Sequence, residues 1–139
     1  MRNFLAVLLL GIPLMAQAGS LTVDGVKNTF ALGSWGTLEK TAASQTLTPG
    51  TYVVRIKQGN FSFWGKGIRA EPFVLIWMHG GSSINKATGV STSATWSALN
   101  GVDDTLTVQV VKTTTLYGLF IDSNNRDNSG QVTLSILKE

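Results

Sequence analysis

Two-residue alternation of apolar and polar side chains recurs along this chain, and it constrains the fold more than any other feature. Tyr52, Val54 and Ile56 alternate with Val53, Arg55 and Lys57. Leu106, Val108 and Val110 alternate with Thr107 and Gln109, and Val132, Leu134 and Ile136 alternate with Thr133 and Ser135. Successive side chains of a strand point to opposite faces, so each pattern predicts a strand with one face in a core and one in water. No stretch sustains the helical period beyond about one turn.

Two further runs lack the alternation. Phe73 to Met78 (FVLIWM) is apolar on both faces and predicts a central strand covered on both sides, or one at a sheet-sheet contact. Trp77, inside it, is expected in the core. Leu116 to Ile121 (LYGLFI) is similar, with Gly118 marking a bulge or a close approach of another chain segment. Turn chemistry at Thr48-Pro49-Gly50, Gly80-Gly81, Asn100-Gly101 and Ser129-Gly130 separates the runs. The spacing predicts about seven to nine strands in an all-β, two-sheet β-sandwich or jelly roll. Residues 19–139 read as a single domain.

The first 18 residues read differently. Arg2 supplies a positive start, Phe4 to Met15 an apolar stretch, and Ala16-Gln17-Ala18 a small-residue cleavage site. This is the pattern of a secretory signal peptide, Met1 to Ala18, too short to span a bilayer as a helix. The expectation is therefore an exported chain, periplasmic or extracellular, with no membrane span after cleavage. It contains no cysteine, which sets it apart from disulfide-dense eukaryotic secreted modules and favours a bacterial origin. Eleven Lys and Arg face eight Asp and Glu, scattered without a run or stripe, so the electrostatic footprint of a nucleic-acid binder is missing. Arg55, Lys57, Lys66 and Arg69 read as a solvated sheet face.

Chemistry concentrates in Asp122-Ser-Asn-Asn-Arg-Asp-Asn-Ser-Gly130, between a strongly apolar strand and the last alternating one. Carboxylates, carboxamides and turned-in carbonyls form the oxygen set that Ca²⁺ takes, six to eight ligands at about 2.3–2.6 Å. Asp122 and Asp127 would supply charge; Asn128, with Asn125 or Asn124, would help complete the shell. The same residues also make an ordinary polar hairpin loop. The spacing is not that of an EF-hand.

This loop, with its closing Asn-Ser-Gly, resembles the calcium loop of the PA-I-like galactose-binding bacterial lectins. The likeness extends upstream to Thr48-Pro49-Gly50-Thr51-Tyr52-Val53-Val54, to Gly59-Asn-Phe-Ser-Phe-Trp-Gly65 and to Pro72–Gly81. It implies a small jelly roll in which Ca²⁺ bridges two sugar hydroxyls. It also implies a carbonyl ligand from Phe63 or Trp64 in the aromatic-glycine turn. The loop is shorter than the family's, Asp127 stands where the family has Asn, and the family's sugar-contacting His and Gln have no counterpart between Lys66 and Pro72. Galactose specificity is therefore not implied.

Of the four tryptophans, Trp35 and Trp64 sit beside glycines in predicted loops. An exposed ring there can stack on the apolar face of a pyranose. Trp64, with Phe63 and Asn124, is the expected ligand contact. His79, the only histidine, opens a His-Gly-Gly-Ser run, but no G-x-S-x-G elbow accompanies it. Asp103-Asp104 read as a hairpin loop. No catalytic residue is expected. The sequence thus predicts a non-catalytic, calcium-dependent carbohydrate-binding protein, working through oligomers. The competing reading is a secreted structural or protein-binding sandwich: an adhesin, surface-associated or pre-peptidase-like domain with at most a structural calcium.

Overall fold

A computed structural model describes residues 17–33 and 37–139, and in it the chain is all-β. In chain order the strands are β1 (Gln17–Asp24), β2 (Thr29–Ala31), β3 (Ala43–Leu47), β4 (Gly50–Ser62), β5 (Phe73–Asn85), β6 (Ser91–Asn100), β7 (Thr105–Lys112), β8 (Thr114–Asp122) and β9 (Ser129–Lys138). One helical turn, α1 (Leu38–Thr41), lies between β2 and β3. The main path through the sheet is β1-β9-β4-β7-β5-β8-β2, with β3 also on β8 and β6 on β5.

The sheet curls so that its two halves face each other. Tyr52, Val54 and Ile56 of β4, Leu106, Val108 and Val110 of β7, and Val132, Leu134 and Ile136 of β9 all turn inward and are buried. Val74, Ile76 and Met78 of β5, with Leu116 and Phe120 of β8, meet them from the opposite half. Each such side chain contributes about 1.5–3 kcal/mol when fully buried, so alternation alone accounts for much of the driving force. The Phe61 and Phe120 rings stack at 3.7 Å between centroids near one end. Gly118 is buried against Val23 of β1, the close approach its position in the apolar run predicts.

Three sequence expectations change. Gly80-Gly81 does not end a strand: β5 runs on to Asn85, bending there to leave β8 and join β7. Gly81 is wedged against the Thr113 and Lys112 carbonyls, where no side chain fits. Ser129-Gly130 likewise lies within β9, paired with Ser62 and Phe61 of β4. The chain reverses earlier, in a 3-10 turn at Asn125–Asp127. Trp77, expected in the core, faces outward instead. It is half-buried in a cross-strand stack with Trp96 at 5.6 Å, Tyr117 at 5.0 Å and His79 at 4.9 Å between ring centroids. FVLIWM is apolar on both faces because one face meets the core and the other carries this stack. A second small cluster of Phe30, Leu38 and Leu119 covers the same outer face.

The Met1–Ala18 leader falls almost wholly outside the described residues. Gln17 and Ala18 continue the β1 ladder opposite Lys138 and Leu137. Among the described residues, no helix is long and apolar enough to cross a membrane.

Candidate ligand-binding end

β4 ends at Ser62 and runs into a loop whose neck is pinched shut. Phe61 and Glu71 exchange backbone hydrogen bonds in both directions, at 2.9 and 3.0 Å. Inside the neck, the buried Ser62 hydroxyl donates to the Ile68 carbonyl and accepts from the Trp64 N–H. The Ile68 N–H returns to the Gly65 carbonyl at 3.0 Å. Closing so tight a loop forces a run of left-handed residues: Gly65 (φ 76°), Lys66 (φ 49°), Gly67 (φ 71°) and Arg69 (φ 51°). For the two non-glycines this conformation costs about 1–2 kcal/mol each. Such strain, held by its surroundings, is characteristic of ligand clamps and switch regions.

The loop displays a graded row of rings. Phe61 is in the core, and Phe63 packs edge-on against it at 4.5 Å. Trp64 stands edge-on to Phe63 at 5.9 Å and is 55% exposed. The Arg69 guanidinium lies 5.4 Å from the Trp64 ring centroid, a cation–π contact. Lys66 and Arg69 thus belong to this turn. Only Arg55 and Lys57, exposed on β4, form the solvated sheet face expected of all four.

The Asp122–Gly130 segment docks against that turn. The Gly67 N–H donates to Ser129 Oγ at 3.1 Å. A Cβ at Gly65 would lie 2.6 Å from the Asp127 carbonyl oxygen, so glycine is required there by contact as well as by φ. Two segments separated by some sixty residues in sequence therefore form one surface.

The expected ligating side chains are placed as follows. Asp122 Oδ1 accepts from the Ser123 and Asn124 N–H groups, at 2.7 and 3.3 Å. Asn124 caps the 3-10 turn by accepting from the Arg126 N–H. Asn125 donates its amide to the Val26 carbonyl at 3.1 Å. Asp127 is exposed. Asn128 is buried; its amide donates to Thr29 Oγ1 at 3.2 Å, and its Oδ1 has no hydrogen-bond partner. Exchanging the amide atoms does not remove the problem, because the Thr29 hydroxyl already donates to the Gly25 carbonyl at 2.6 Å. A buried acceptor without a donor is unfavourable by about 1–3 kcal/mol.

Among the described residues, no three His, Cys, Asp or Glu side chains come together as a metal cluster. A cation at this end would rest on carboxamide and backbone oxygens with the carboxylates around them, a donor set that suits Ca²⁺ better than a transition metal. The contributions of Thr29, Ser129, Lys66 and Arg69 were not identified from sequence. The glycine spacing in Trp64-Gly65-Lys66-Gly67 was the available sign of a strained turn. Trp35 lies outside the described residues. His79 is on the outer sheet face, with Nδ1 3.6 Å from Glu39 Oε1. No known protein family, curated protein or solved structure matches the chain.

Proposed function

We propose that this protein is a non-catalytic carbohydrate-binding module of lectin type, exported from a bacterial cell, with Ca²⁺ as part of its binding end. One observation carries the reading: a half-exposed tryptophan on a strained, pinched turn is locked onto a polar loop that holds a buried, donorless carboxamide oxygen. The free part of the Trp64 surface offers an apolar plane to the C–H face of a sugar ring. Lys66 and Arg69 offer donors to its hydroxyls or to an acidic substituent. Asn128 Oδ1 would be a calcium ligand, with Asp122 and Asp127 supplying charge and Asn125 and the Phe63–Trp64 carbonyls on the adjoining segments. Calcium would give that oxygen the partner it lacks. Export supports the reading, because extracellular modules fill weak calcium sites with Kd on the order of 10⁻⁴–10⁻³ M.

A second reading rests on the hydrogen bonds of the same loop. Asp122, Asn124 and Asn125 already satisfy backbone groups, as in an ordinary Asx-rich turn. On that reading the domain is a structural or protein-binding sandwich, and a calcium ion, where one binds, only clips the loop.

Thermal unfolding with calcium and with a chelator, followed by a glycan array under both conditions, separates the two. The first reading expects calcium to stabilise the fold, by about 2.7 kcal/mol at a hundredfold excess over Kd. Asp122→Ala should remove that shift. Trp64→Ala should leave it intact and abolish sugar binding. Absence of any calcium shift sinks the calcium site, and a shift without sugar binding leaves the second reading.

A further inference from the structure

We infer that the chain self-associates into a two-fold dimer by antiparallel pairing of β6 with β6 of a second copy. β6 is hydrogen-bonded to β5 along one side, and among the described residues its other side has no strand partner. A free edge is a template for another strand, and monomeric proteins commonly guard such edges with charge, proline or a bulge. From Asn100 to Ala94 this edge has no such guard; the register with β5 shifts only beyond it, between His79 and Ser83, opposite Ala94 and Thr92. From Ala87 to Val102 the sequence contains no charged residue and no proline, and the register opposite β5 is unbroken from Asn100 to Ala94. Val90, Trp96 and Val102, spaced along and beside β6, are all at least half exposed.

Neutrality points to a second copy of the chain as the occupant. In a two-fold pair each side chain meets its own strand run in reverse, so any charge near the axis meets a like charge, which is destabilising. A strand without charges avoids that penalty for every register. The aromatic stack then selects one register. Trp96 lies directly opposite Trp77, which lies directly opposite Tyr117, so three rings stack across β6, β5 and β8. The stack stops at Trp96, which is 51% exposed. Pairing Trp96 with its own copy continues the row across the axis, since cross-strand neighbours sit about 4.5–5.5 Å apart at Cβ. That register also sets Ala94 opposite the copy's Ala98 and keeps the outer faces of both copies on one side. A slip of one residue would put the exposed face of one copy beside the core face of the other.

The measurement is the solution mass of the purified chain by sedimentation equilibrium, from micromolar to sub-millimolar concentration. It is run with chelator and without sugar, so that its outcome is independent of the proposed lectin function. Twice the chain mass is expected, with β6 amides slower to exchange at high concentration than at low. Ala94→Lys with Ala98→Lys sets lysine against lysine twice across the axis and should yield a monomer. Ala94→Lys with Ala98→Glu sets opposite charges together and should restore the dimer, with sensitivity to salt. Both alanines are exposed, so the variants should keep the wild-type circular dichroism. A wild-type chain that stays monomeric overturns the proposal. So does a double-lysine variant that remains dimeric, or concentration-dependent protection confined to strands other than β6. If the lysine variants do not fold, the wild-type exchange pattern decides alone.

Discussion

Gly118 shows how far one side chain can be dictated by its partner. An added Cβ would lie 2.5 Å from Val23 Cγ2, with Leu21 and Leu134 at 3.7 Å. Its φ is not in the left-handed region, so the obstacle is space alone. Gly118→Ala should destabilise the fold by about 1–3 kcal/mol, the usual cost of overpacking. Combining it with Val23→Ala should cost clearly less than the two changes added separately, because the second removes the methyl that the first strikes. Urea unfolding of the four proteins in the cycle measures this, and strict additivity would show that the two residues do not meet. Gly118 was legible in sequence as a glycine within an apolar run, although its partner was not. The candidate site divides in the same way. Its residue types were visible in Asp122–Gly130 and in Phe63–Trp64, because Asp, Asn and an aromatic beside glycine have few roles in an alternating β-sequence. What each side chain does was not visible. Asn124 and Asn128 have the same chemistry, yet one caps an exposed turn and the other is buried with an unpaired oxygen. That difference comes from packing against Thr29, ninety-nine residues away.

At the scale of elements, β5 carries the curl of the sheet. Leu75 to His79 pair with β8 and Ser82 to Asn85 with β7, while β6 follows β5 on both sides of the bend, opposite Phe73 to His79 and then Ser83 and Ile84. The two glycines between them act differently. Gly80 has φ 100° and open space around it, while Gly81 is pressed against two carbonyl groups of the segment leaving β7. Gly80→Ala should therefore cost only the backbone strain, about 1–3 kcal/mol. Gly81→Ala requires backbone to move against backbone and should cost more, with loss of β5–β7 pairing. Chemical denaturation gives the order, and amide exchange at Ser83 and Asn85 localises it. Equal effects would mean that the bend is set elsewhere. Strands were legible wherever one face meets water, since β4, β7 and β9 each write their burial as alternation. Their ends were not. A Gly pair that bends a continuing strand has the same composition as one that reverses the chain. Only the neighbouring strand, absent from local sequence, distinguishes the two. The one-turn helix α1 was invisible for a related reason: Leu38 is its only buried residue, and one residue sets no period.

At the scale of the whole molecule, the first strand closes the fold by pairing with the last. β1 runs antiparallel to β9 from Gln17–Lys138 to Asp24–Gln131, and β9 in turn lies between β1 and β4. Nearly the entire chain must be gathered before that ladder can form. Ordering so long a loop costs entropy before any contact compensates for it. All-β domains dominated by such pairings fold in milliseconds to seconds, whereas chains rich in local contacts fold in microseconds to milliseconds. Refolding of this chain should fall in the slower range. The Trp77–Trp96–Tyr117 stack should form with the main phase, because it needs β5, β6 and β8 aligned together. Stopped-flow fluorescence provides the test, with Trp35→Phe and Trp64→Phe leaving Trp77 and Trp96 of the stack as the tryptophan reporters. A chain ending before Ser129 leaves β1 without its partner and one face of the core open, so it should show no cooperative transition at all. If that truncated chain unfolds cooperatively, or if the intact chain completes folding in microseconds, β9 is not the strand on which closure depends.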